Sequence, residues 1–543
     1  MSMIKLLRTL TLLLAMAAIA THADAQSPFR KRCGTSMIQE REIAALAKGQ
    51  TRAFEASQEY VPHSGTVAMP VILVNFKDVK LTVNNPREAF DQFLNGTTQD
   101  DLGNGNHYNF GSVAKYFSDM SSGEFSLKFK VYEPVTLDKD QTHYGGKNSN
   151  NNDDEKHQEL VKDAVEMLTA SGQVADEDIK SFCTNGKNID CVLIIYAGCA
   201  QNEGGEATNV WANTSRPYSS TTMGGKNIRW YCMTGELAPY KLNDDGKPST
   251  SNGTTPMIAG VGVTCHEFSH ALGLPDFYPT AAKAQIDNQE MEYWDLMDGG
   301  EYAGNSFCPT AYTAFEKSEM GWQVDIKELN ENLSVAIENS TEKGGTAYKI
   351  TNPQNSNEYL MLECIQKRGW NSRQCGNGLL VYHVNRPSGD LTSYTRFNNT
   401  PGFPGMAVVP ADGACLSIYI DENTNYYDSL YGDLFPGTGN MAPDTQNTTE
   451  LSDAKPMPNF CWYNSSKTEK LATNKALQNI KYDIATGIVS FNYIHDVSTA
   501  ISAVNADKSQ GKRFYTIDGR YAGDDMNSLP HGIYIINGKK IIK

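Results

Sequence analysis

The sequence predicts an α+β fold in which a mixed helical and stranded unit precedes a β-rich region. Continuous apolar runs at 67–76 and 190–197 predict buried strands. Apolar residues at helical spacing in 111–120 and 156–169 predict amphipathic helices between them. From about residue 325, short strand-like runs alternate with turn residues. A chain of 543 residues is also too long for one ordinary domain, so we expect several.

Shorter elements complete the predicted order. Residues 125–131 (FSLKFKV) alternate apolar and polar side chains, which is typical of a half-buried strand. Residues near 257–273 are predicted to form a helix that ends at a glycine. The later strand-like runs predict a sandwich or barrel-like accessory domain and a small β-rich tail; these runs are 346–351, 358–364, 378–384, 415–421 and 513–543.

The first residues have the features of an export signal. Lys5 and Arg8 form a basic start, and residues 10–20 are apolar but too few to span a bilayer as a helix. Residues 23–25 (ADA) then give a small-x-small cleavage pattern, so we expect the exported chain to begin at Gln26. A short membrane anchor is the alternative interpretation.

Changes in composition and apolar pattern along the chain predict five parts. Residues 37–58 look helical, and the polar segment that contains them is interpreted either as a pro-segment or as a flexible arm. The predicted organisation is a signal peptide at 1–25, a pro-segment at 26–64, a catalytic unit at 65–324, a β-rich accessory domain at 325–497, and a linker with a C-terminal tail at 498–543.

The charge balance argues against nucleic acid as a partner. The formal net charge is −16, whereas a nucleic-acid-binding protein needs a basic surface. No stretch after the signal reaches the ~20 apolar residues of a membrane-spanning helix. We therefore expect neither a nucleic-acid partner nor a membrane span.

Residues 265–278 (CHEFSHALGLPDFY) carry the pattern of a catalytic zinc site. His266 and His270 are one helical turn apart, so both imidazoles can reach one metal ion. Glu267 lies beside the first ligand, where it can take a proton from metal-bound water. Gly273 permits a sharp turn that brings Asp276 back as the third ligand and leaves a fourth position open. The alternative is an amphipathic helix with two ordinary histidines.

A second motif, WDLMDGG at 294–300, follows about twenty residues later. Met297 in this motif is predicted to form an apolar floor under the imidazole ligands, as the methionine does in the turn of metzincin peptidases. The alternative is an ordinary loop with a core methionine. His383 in VYHV is interpreted as a packed strand residue rather than a ligand.

Together, HEFSHALGLPDFY, WDLMDGG and PTAYTAFEKSEMGW (309–322) resemble the immune inhibitor A family of secreted bacterial metallopeptidases. The resemblance extends over roughly residues 65–495. Supporting segments are VILVNFKD (71–78), GSVAKYFSDMSSGEFSLKFKVYEPVTL (111–137), VLIIYAGCAQNEGGEATNVWAN (192–213), EYLMLECIQKRGWNSRQCGNGLLVYHV (358–384) and GDLFPG (432–437).

The resemblance implies a metzincin-like catalytic domain that hydrolyses proteins or peptides as a secreted, zinc-dependent endopeptidase. The family's two His ligands, catalytic Glu and Asp ligand fall on the four residues that the spacing already selects, and its turn methionine falls on Met297. Metzincins often stabilise the oxyanion with a tyrosine, and Tyr302 is the candidate because it follows the Met turn. The tail resembles C-terminal domains of exported proteins from Bacteroidetes-type bacteria, which implies sorting to, or retention at, the cell surface.

Two further hypotheses concern latency and calcium. Cys33 lies in the predicted pro-segment within KRCGTS, where a thiolate can occupy the open zinc position and keep a zymogen inactive. The alternative is a structural or unpaired cysteine. The loop at 148–155 (NSNNNDDE) has the oxygen ligands that Ca²⁺ takes, although such loops also occur simply as solvated turns.

Two other functions stay open at this stage. One is a non-catalytic binding or adhesion protein built on a peptidase scaffold, against which the general base Glu267 argues. The other is a zinc hydrolase that acts on a non-peptide amide or ester. A proteolysis assay with and without chelator separates the first from a peptidase, and digestion of a peptide library separates the second.

Overall fold

The protein is described here from a computed structural model, and the described part is mixed α and β and rich in sheet. It comprises residues 60–97, 108–146, 156–217, 221–243, 248–249, 253–281, 283–285, 290–387, 391, 397–415, 430–437, 448–497, 514–516, 520–523, 525–536 and 539–543. The predicted signal peptide, Cys33, the helix at 37–58 and the loop at 148–155 lie outside these residues.

The described helices and strands follow the predicted order. The helices are α1 (Pro86–Asn95), α2 (Val113–Met120), α3 (Gln141–Gly145), α4 (His157–Ala170), α5 (Asp176–Ser181), α6 (Val261–Leu272) and α7 (Ala314–Glu319). The strands of the first half are β1 (Gly65–Asn75), β2 (Phe125–Val131), β3 (Val135–Thr136), β4 (Ile189–Cys199), β5 (Asn213–Ser215), β6 (Thr222–Met223), β7 (Lys226–Leu242), β8 (Pro248–Ser249) and β9 (Thr255–Ile258).

The later strands belong to the β-rich region. They are β10 (Asp325–Glu328), β11 (Leu333–Ile337), β12 (Thr346–Asn352), β13 (Asn355–Ile365), β14 (Gly378–Asn385), β15 (Met406–Val408), β16 (Leu451–Ser452), β17 (Trp462–Tyr463), β18 (Lys470–Leu471), β19 (Ala476–Tyr482), β20 (Val489–Ile494), β21 (Phe514–Thr516), β22 (Tyr521–Gly523), β23 (Ile533–Ile536) and β24 (Lys539–Ile542). Residues 416–421 of the predicted strand at 415–421 lie outside the described residues.

A twisted sheet in the order β2-β1-β4-β7-β5 forms the core of the first half. β1 runs parallel to β2 and β4, β4 runs parallel to β7, and β5 is antiparallel to β7. The middle of β1 and most of β4 are fully buried, as the continuous apolar runs predicted. α6 packs against β7 and β5, so the helix with the zinc pattern rests on one end of this sheet.

The β-rich region contains two further sheets that share a core. One has the order β10-β12-β13-β14-β15, and the other has the order β11-β20-β19-β16. Their facing side chains form one buried apolar cluster that includes Leu362, Val381, Leu477 and Phe491. The last four strands make a separate small sheet in the order β22-β21-β23-β24, in the segment predicted to be a β-rich tail.

The core of the first half continues into the β-rich region. Trp370 packs edge-on against Phe110 and Tyr116, with ring centroids 4.8 and 4.9 Å apart, and its Nε1 donates to Asp119 Oδ2 at 2.8 Å. Because the aromatic ring and its N–H are both accommodated, the indole can be completely buried. The ring therefore joins the core of the first half to the β-rich region.

The β-rich region also caps α7. Glu363 Oε1 accepts the backbone N–H of Ala314 at 2.8 Å, and this satisfies one of the N–H groups that the first turn of a helix leaves without an intrahelical partner. Thr313 and Glu316 form a capping box at the same end.

Among the described residues, no helix has the length and apolar content that a membrane crossing needs.

Candidate metal centre

α6 is held at its N-terminus by two distant side chains. Asn109 Oδ1 accepts the N–H of Val261 at 2.9 Å, and Ser306 Oγ accepts that of Val263 at 3.3 Å. These contacts replace an N-cap side chain, because the residue before the helix is Gly260. Gly262 is required here, since a Cβ would lie 2.0 Å from the carbonyl oxygen of Glu301. All twelve residues of α6 are buried, so its position is fixed on every side.

A left-handed glycine ends the helix and turns the chain back. Gly273 has φ 106°, and its N–H donates to the carbonyl of His270 at 3.0 Å while that of Leu274 donates to Ser269 at 3.1 Å. This is the sharp turn that the sequence predicted for this glycine. The turn returns the chain past the end of α6, with Asp276 three residues later.

The turn brings three potential ligand atoms together. Asp276 Oδ1 lies 3.2 Å from His266 Nε2 and 3.3 Å from His270 Nε2, and the three donor atoms lie within 4.8 Å of one another. Tetrahedral Zn²⁺ with bonds near 2.0–2.1 Å places its ligand atoms about 3.3 Å apart. The spacing of these three residues therefore fits a metal ion of that size.

Backbone carbonyls select the ring nitrogen that faces the site. His266 Nδ1 donates to the carbonyl of Leu296 at 3.0 Å, and His270 Nδ1 donates to that of Leu274 at 2.7 Å. With the proton on Nδ1, each Nε2 keeps its lone pair toward Asp276. Burial alone raises the pKa of Asp276, but the neighbouring His270 and His266 outweigh it and hold that pKa well below its usual range. The donor set is therefore two imidazole nitrogens and one carboxylate oxygen.

The loop with Met297 is attached to the ligand turn. Met297 is fully buried, and its carbonyl accepts the N–H of Phe277, the residue after Asp276, at 2.8 Å. Its own N–H donates to Asp295 Oδ1 at 2.7 Å. Because the neighbouring carbonyl of Leu296 holds the first imidazole, this loop orients both a histidine and the aspartate turn.

Glu267 is completely buried and is anchored through its backbone. Its carbonyl accepts a hydrogen bond from Thr214 Oγ1 at 2.7 Å and lies 3.7 Å from Cys232 Sγ, and these contacts tie it to β5 and β7.

Two further glutamates lie nearby. Burial, with the charges of Glu301 and Glu267, raises the pKa of Glu203 well above its usual value.

Glu301 lies beside the first histidine. Its Oε2 lies 3.7 Å from His266 Nδ1. Burial raises the pKa of Glu301 to about 8, although His266 acts in the opposite direction. Tyr302 follows in the same short 3-10 segment and is 7% exposed. Its predicted role at the oxyanion stays a prediction.

Residues 64–325 match the family model described as "Immune inhibitor A peptidase M6, catalytic domain". This chain carries an immune inhibitor A peptidase domain. The family predicted from the sequence is thereby confirmed. The match contains both halves of the metal centre, the helix that carries the two histidines and the loop that carries Met297.

Two relatives extend the comparison of the peptidase domain. The chain is 26% identical over 290 residues to the pre-pro-metalloprotease PrtV of Vibrio cholerae serotype O1 strain M66-2. This alignment covers 49% of this chain and 31% of PrtV. It is 24% identical over 282 residues to immune inhibitor A of Bacillus thuringiensis subsp. alesti, which covers 46% of this chain and 39% of the relative. The chain therefore spans less than half the length of either relative.

Several features of the peptidase domain were not predicted from the sequence. Contacts between distant segments place Glu203 and Glu301 beside the site. Such contacts also let Asn109 and Ser306 cap α6. The position of Glu301 directly after the Met turn is the one local signal. His383, by contrast, is a packed strand residue as predicted, buried with its Nε2 3.0 Å from Glu358 Oε1.

Cys183 and Cys191 lie on either side of a short polar loop and are not joined by a disulfide. Cys183 and Cys191 are both thiols, and Cys364 Sγ contacts the carbonyl of Gly487 at 3.5 Å. Cys191 instead faces Cys232, with 3.7 Å between the sulfur atoms.

Proposed function

We propose that this protein is a secreted zinc endopeptidase in which His266, His270 and Asp276 hold the metal and Glu267 is the general base. The observation that carries the proposal is the convergence of two Nε2 atoms and one carboxylate oxygen at tetrahedral spacing. The M6 family match and the metalloprotease relative support a peptidase. Three protein ligands leave a coordination position open, which is typical of catalytic rather than structural zinc.

The protein's own groups then perform the proton transfers. Zinc, when bound, lowers the pKa of a bound water and polarises the scissile carbonyl. The Glu267 carboxylate takes one proton from the attacking water and delivers it to the leaving amine nitrogen. The Nδ1–H donors of His266 and His270 stay on the carbonyls of Leu296 and Leu274 and keep both imidazoles aimed. Tyr302 is proposed to donate a hydrogen bond to the developing oxyanion.

The proposal includes the predicted processing and location. Residues 1–25 direct export, and the tail supports sorting or retention at the cell surface. The pro-segment begins at residue 26, is predicted to extend to residue 64 and contains Cys33 as the candidate latency thiol. Protein or peptide chains are the substrates. Calcium at 148–155 remains a prediction.

Casein digestion by the exported, processed protein tests the proposal. Cleavage is expected to need zinc, to stop with a chelator and to return when zinc is added. Glu267→Gln is the decisive variant, because it should keep the metal while losing the proton transfer. A Glu267→Gln protein that contains zinc and still cleaves casein efficiently would contradict the assignment, and wild-type protein that binds zinc but cleaves nothing would favour the binding-protein alternative.

A further inference from the structure

The chain immediately before β1 is attached to the far end of the metal helix. This clasp consists of residues 60–63, which belong to the predicted pro-segment. Val61 is buried, and its N–H donates to the carbonyl of Ala271 at 3.0 Å. Trp322 Nε1 donates to the carbonyl of His63 at 2.6 Å. The clasp therefore joins the end of α6 to the segment that follows α7.

The ring of Tyr60 adds a contact to the turn that carries Asp276. It stacks on Trp230 with centroids 5.8 Å apart, and Arg229 Nη2 donates to the Tyr60 carbonyl at 2.8 Å. The same ring lies against Gly273, where a Cβ would meet it at 3.3 Å. Both the helix end and the turn after it thus rest on the clasp.

His63 makes the most informative contacts of the clasp. Its Nε2 lies 2.6 Å from the carbonyl oxygen of Leu272, and its Nδ1 lies 3.1 Å from that of Met320. A carbonyl oxygen only accepts, so each ring nitrogen must donate. A neutral imidazole has one N–H, and only the protonated ring donates from both nitrogens. Leu272 is the last residue of α6, where helix carbonyls lack intrahelical partners and a cation is favoured.

The charged groups on the surrounding elements have other partners. Arg229 pairs with Asp190 at 3.2 Å. Glu319, next to Met320, accepts two hydrogen bonds from Arg386 at 2.7 and 2.9 Å.

The remaining charged groups of α7 and α6 act elsewhere. Glu316 takes part in the capping box, and Lys317 Nζ donates to the carbonyl of Thr341 at 3.0 Å. On α6, His266, Glu267 and His270 belong to the metal centre, and zinc binding by such ligands depends on pH by itself because they must be deprotonated. The effect of His63 must therefore be measured as a ratio between variant and wild type at each pH.

We propose that the clasp is part of the mature enzyme and that His63 is a positioning residue, which holds the end of the metal helix as an imidazolium. Activation cleavage must then fall on the N-terminal side of Tyr60, not at the predicted boundary after residue 64. This inference rests on the proposed function, because it concerns the helix that would hold the zinc. Cys33 precedes Tyr60 by 27 residues, so a cut between them would remove the candidate latency thiol and leave the clasp.

The first test maps the N-terminus of the active species by N-terminal labelling and intact mass. An active enzyme that begins at or before Tyr60 is expected. An active species that begins after Tyr60 overturns the proposal. This measurement needs no variant, so it stays decisive if substitutions at His63 prevent folding.

The second test compares His63→Gln with wild type between about pH 5 and pH 8, where histidine changes charge. The matched control is His143→Gln, a half-buried histidine on α3 that contacts Glu159 instead of α6. Zinc affinity is measured by chelator competition, and amide hydrogen exchange of residues 266–274 is followed in metal-free protein. His63→Gln should weaken zinc binding and speed exchange by roughly 5- to 30-fold at the acidic end, with both ratios shrinking toward the alkaline end.

The outcomes separate the clasp from the proposed function. A ratio that does not change with pH, or an equal effect of His143→Gln, shows that His63 only fills space and overturns its role. An active Glu267→Gln enzyme refutes the catalytic assignment instead. The exchange measurement does not depend on turnover, so it tests the clasp in either case.

Discussion

Replacing Gly273 with alanine is expected to weaken zinc binding about 30-fold or more. The residue has φ 106°, and a left-handed backbone costs about 1–2 kcal/mol once a Cβ is present. The new Cβ would also lie 3.3 Å from three atoms of the Tyr60 ring, and crowding of this kind adds about 1 kcal/mol. The bend can relieve this strain by moving Asp276 away from the histidines. If about 2 kcal/mol of this strain destabilises the metal-bound form relative to the metal-free form, zinc binding weakens about 30-fold.

Gly172→Ala is the matched control for this experiment. Gly172 follows α4 with φ 72°, and a Cβ there would meet nothing within 4 Å. In both variants the left-handed backbone destabilises the folded state. In both, the less flexible unfolded chain offsets this by about 0.4–1 kcal/mol. Only the change at Gly273 acts on the ligand turn.

Chelator competition and urea unfolding, each measured for both variants, supply the data. Gly172→Ala should lower stability while binding zinc like wild type, and Gly273→Ala should lower both. The reasoning is refuted if Gly273→Ala binds zinc within twofold of wild type and loses no more stability than the control.

Three further outcomes are expected. Glu267→Gln should retain zinc, measured by metal analysis, and lose about 10²- to 10⁴-fold in kcat on a peptide substrate. Met297→Leu conserves volume, so it should cost less than about 1.5 kcal/mol in urea unfolding and keep zinc. Burial lowers the pKa of His383 although Glu358 opposes this. The unfolded chain therefore takes up a proton first as the pH falls below about 6.5, and unfolding free energy should drop there by up to about 1.4 kcal/mol per pH unit.

Each of these outcomes has its own control. Glu319→Gln, a glutamate outside the metal centre, should keep kcat near wild type. A Met297→Leu protein that loses its zinc would mean that the sulfur has a role beyond packing. For the pH effect, His383→Gln should flatten the acid slope of stability, and an unchanged slope in that variant would assign the proton uptake to other groups.

Local chemistry made much of the fold predictable. Alternation over residues 125–131 gave the exact bounds of β2, because one face of that strand is buried and the other is solvated. The apolar run at 190–197 identified β4, which is covered on both faces. At the centre, helical spacing brought His266 and His270 to one face without any knowledge of the rest of the chain.

Contacts between distant segments explain what could not be predicted. Asn109 caps a helix that begins 152 residues later, and nothing near either residue records the pairing. Glu301 looks like an ordinary loop residue until the helix is packed against it. The same holds for His63, whose two acceptors, Leu272 and Met320, lie 209 and 257 residues away. Its partners are backbone carbonyls, which every residue has, so no residue type in the sequence marks them.

The indole of Trp370 sets a limit on how this molecule can be cut. A fragment that stops at residue 325 would end where the family match ends, but Phe110 and Tyr116 would lose the indole against which they pack, and Asp119 would lose the indole N–H. The first helical turn of α7 would also lose the carboxylate from Glu363. Expression of that fragment alone is expected to give insoluble material, and soluble, monodisperse fragment would be the contrary result. We therefore expect the unit that folds to be larger than the segment that matches the family.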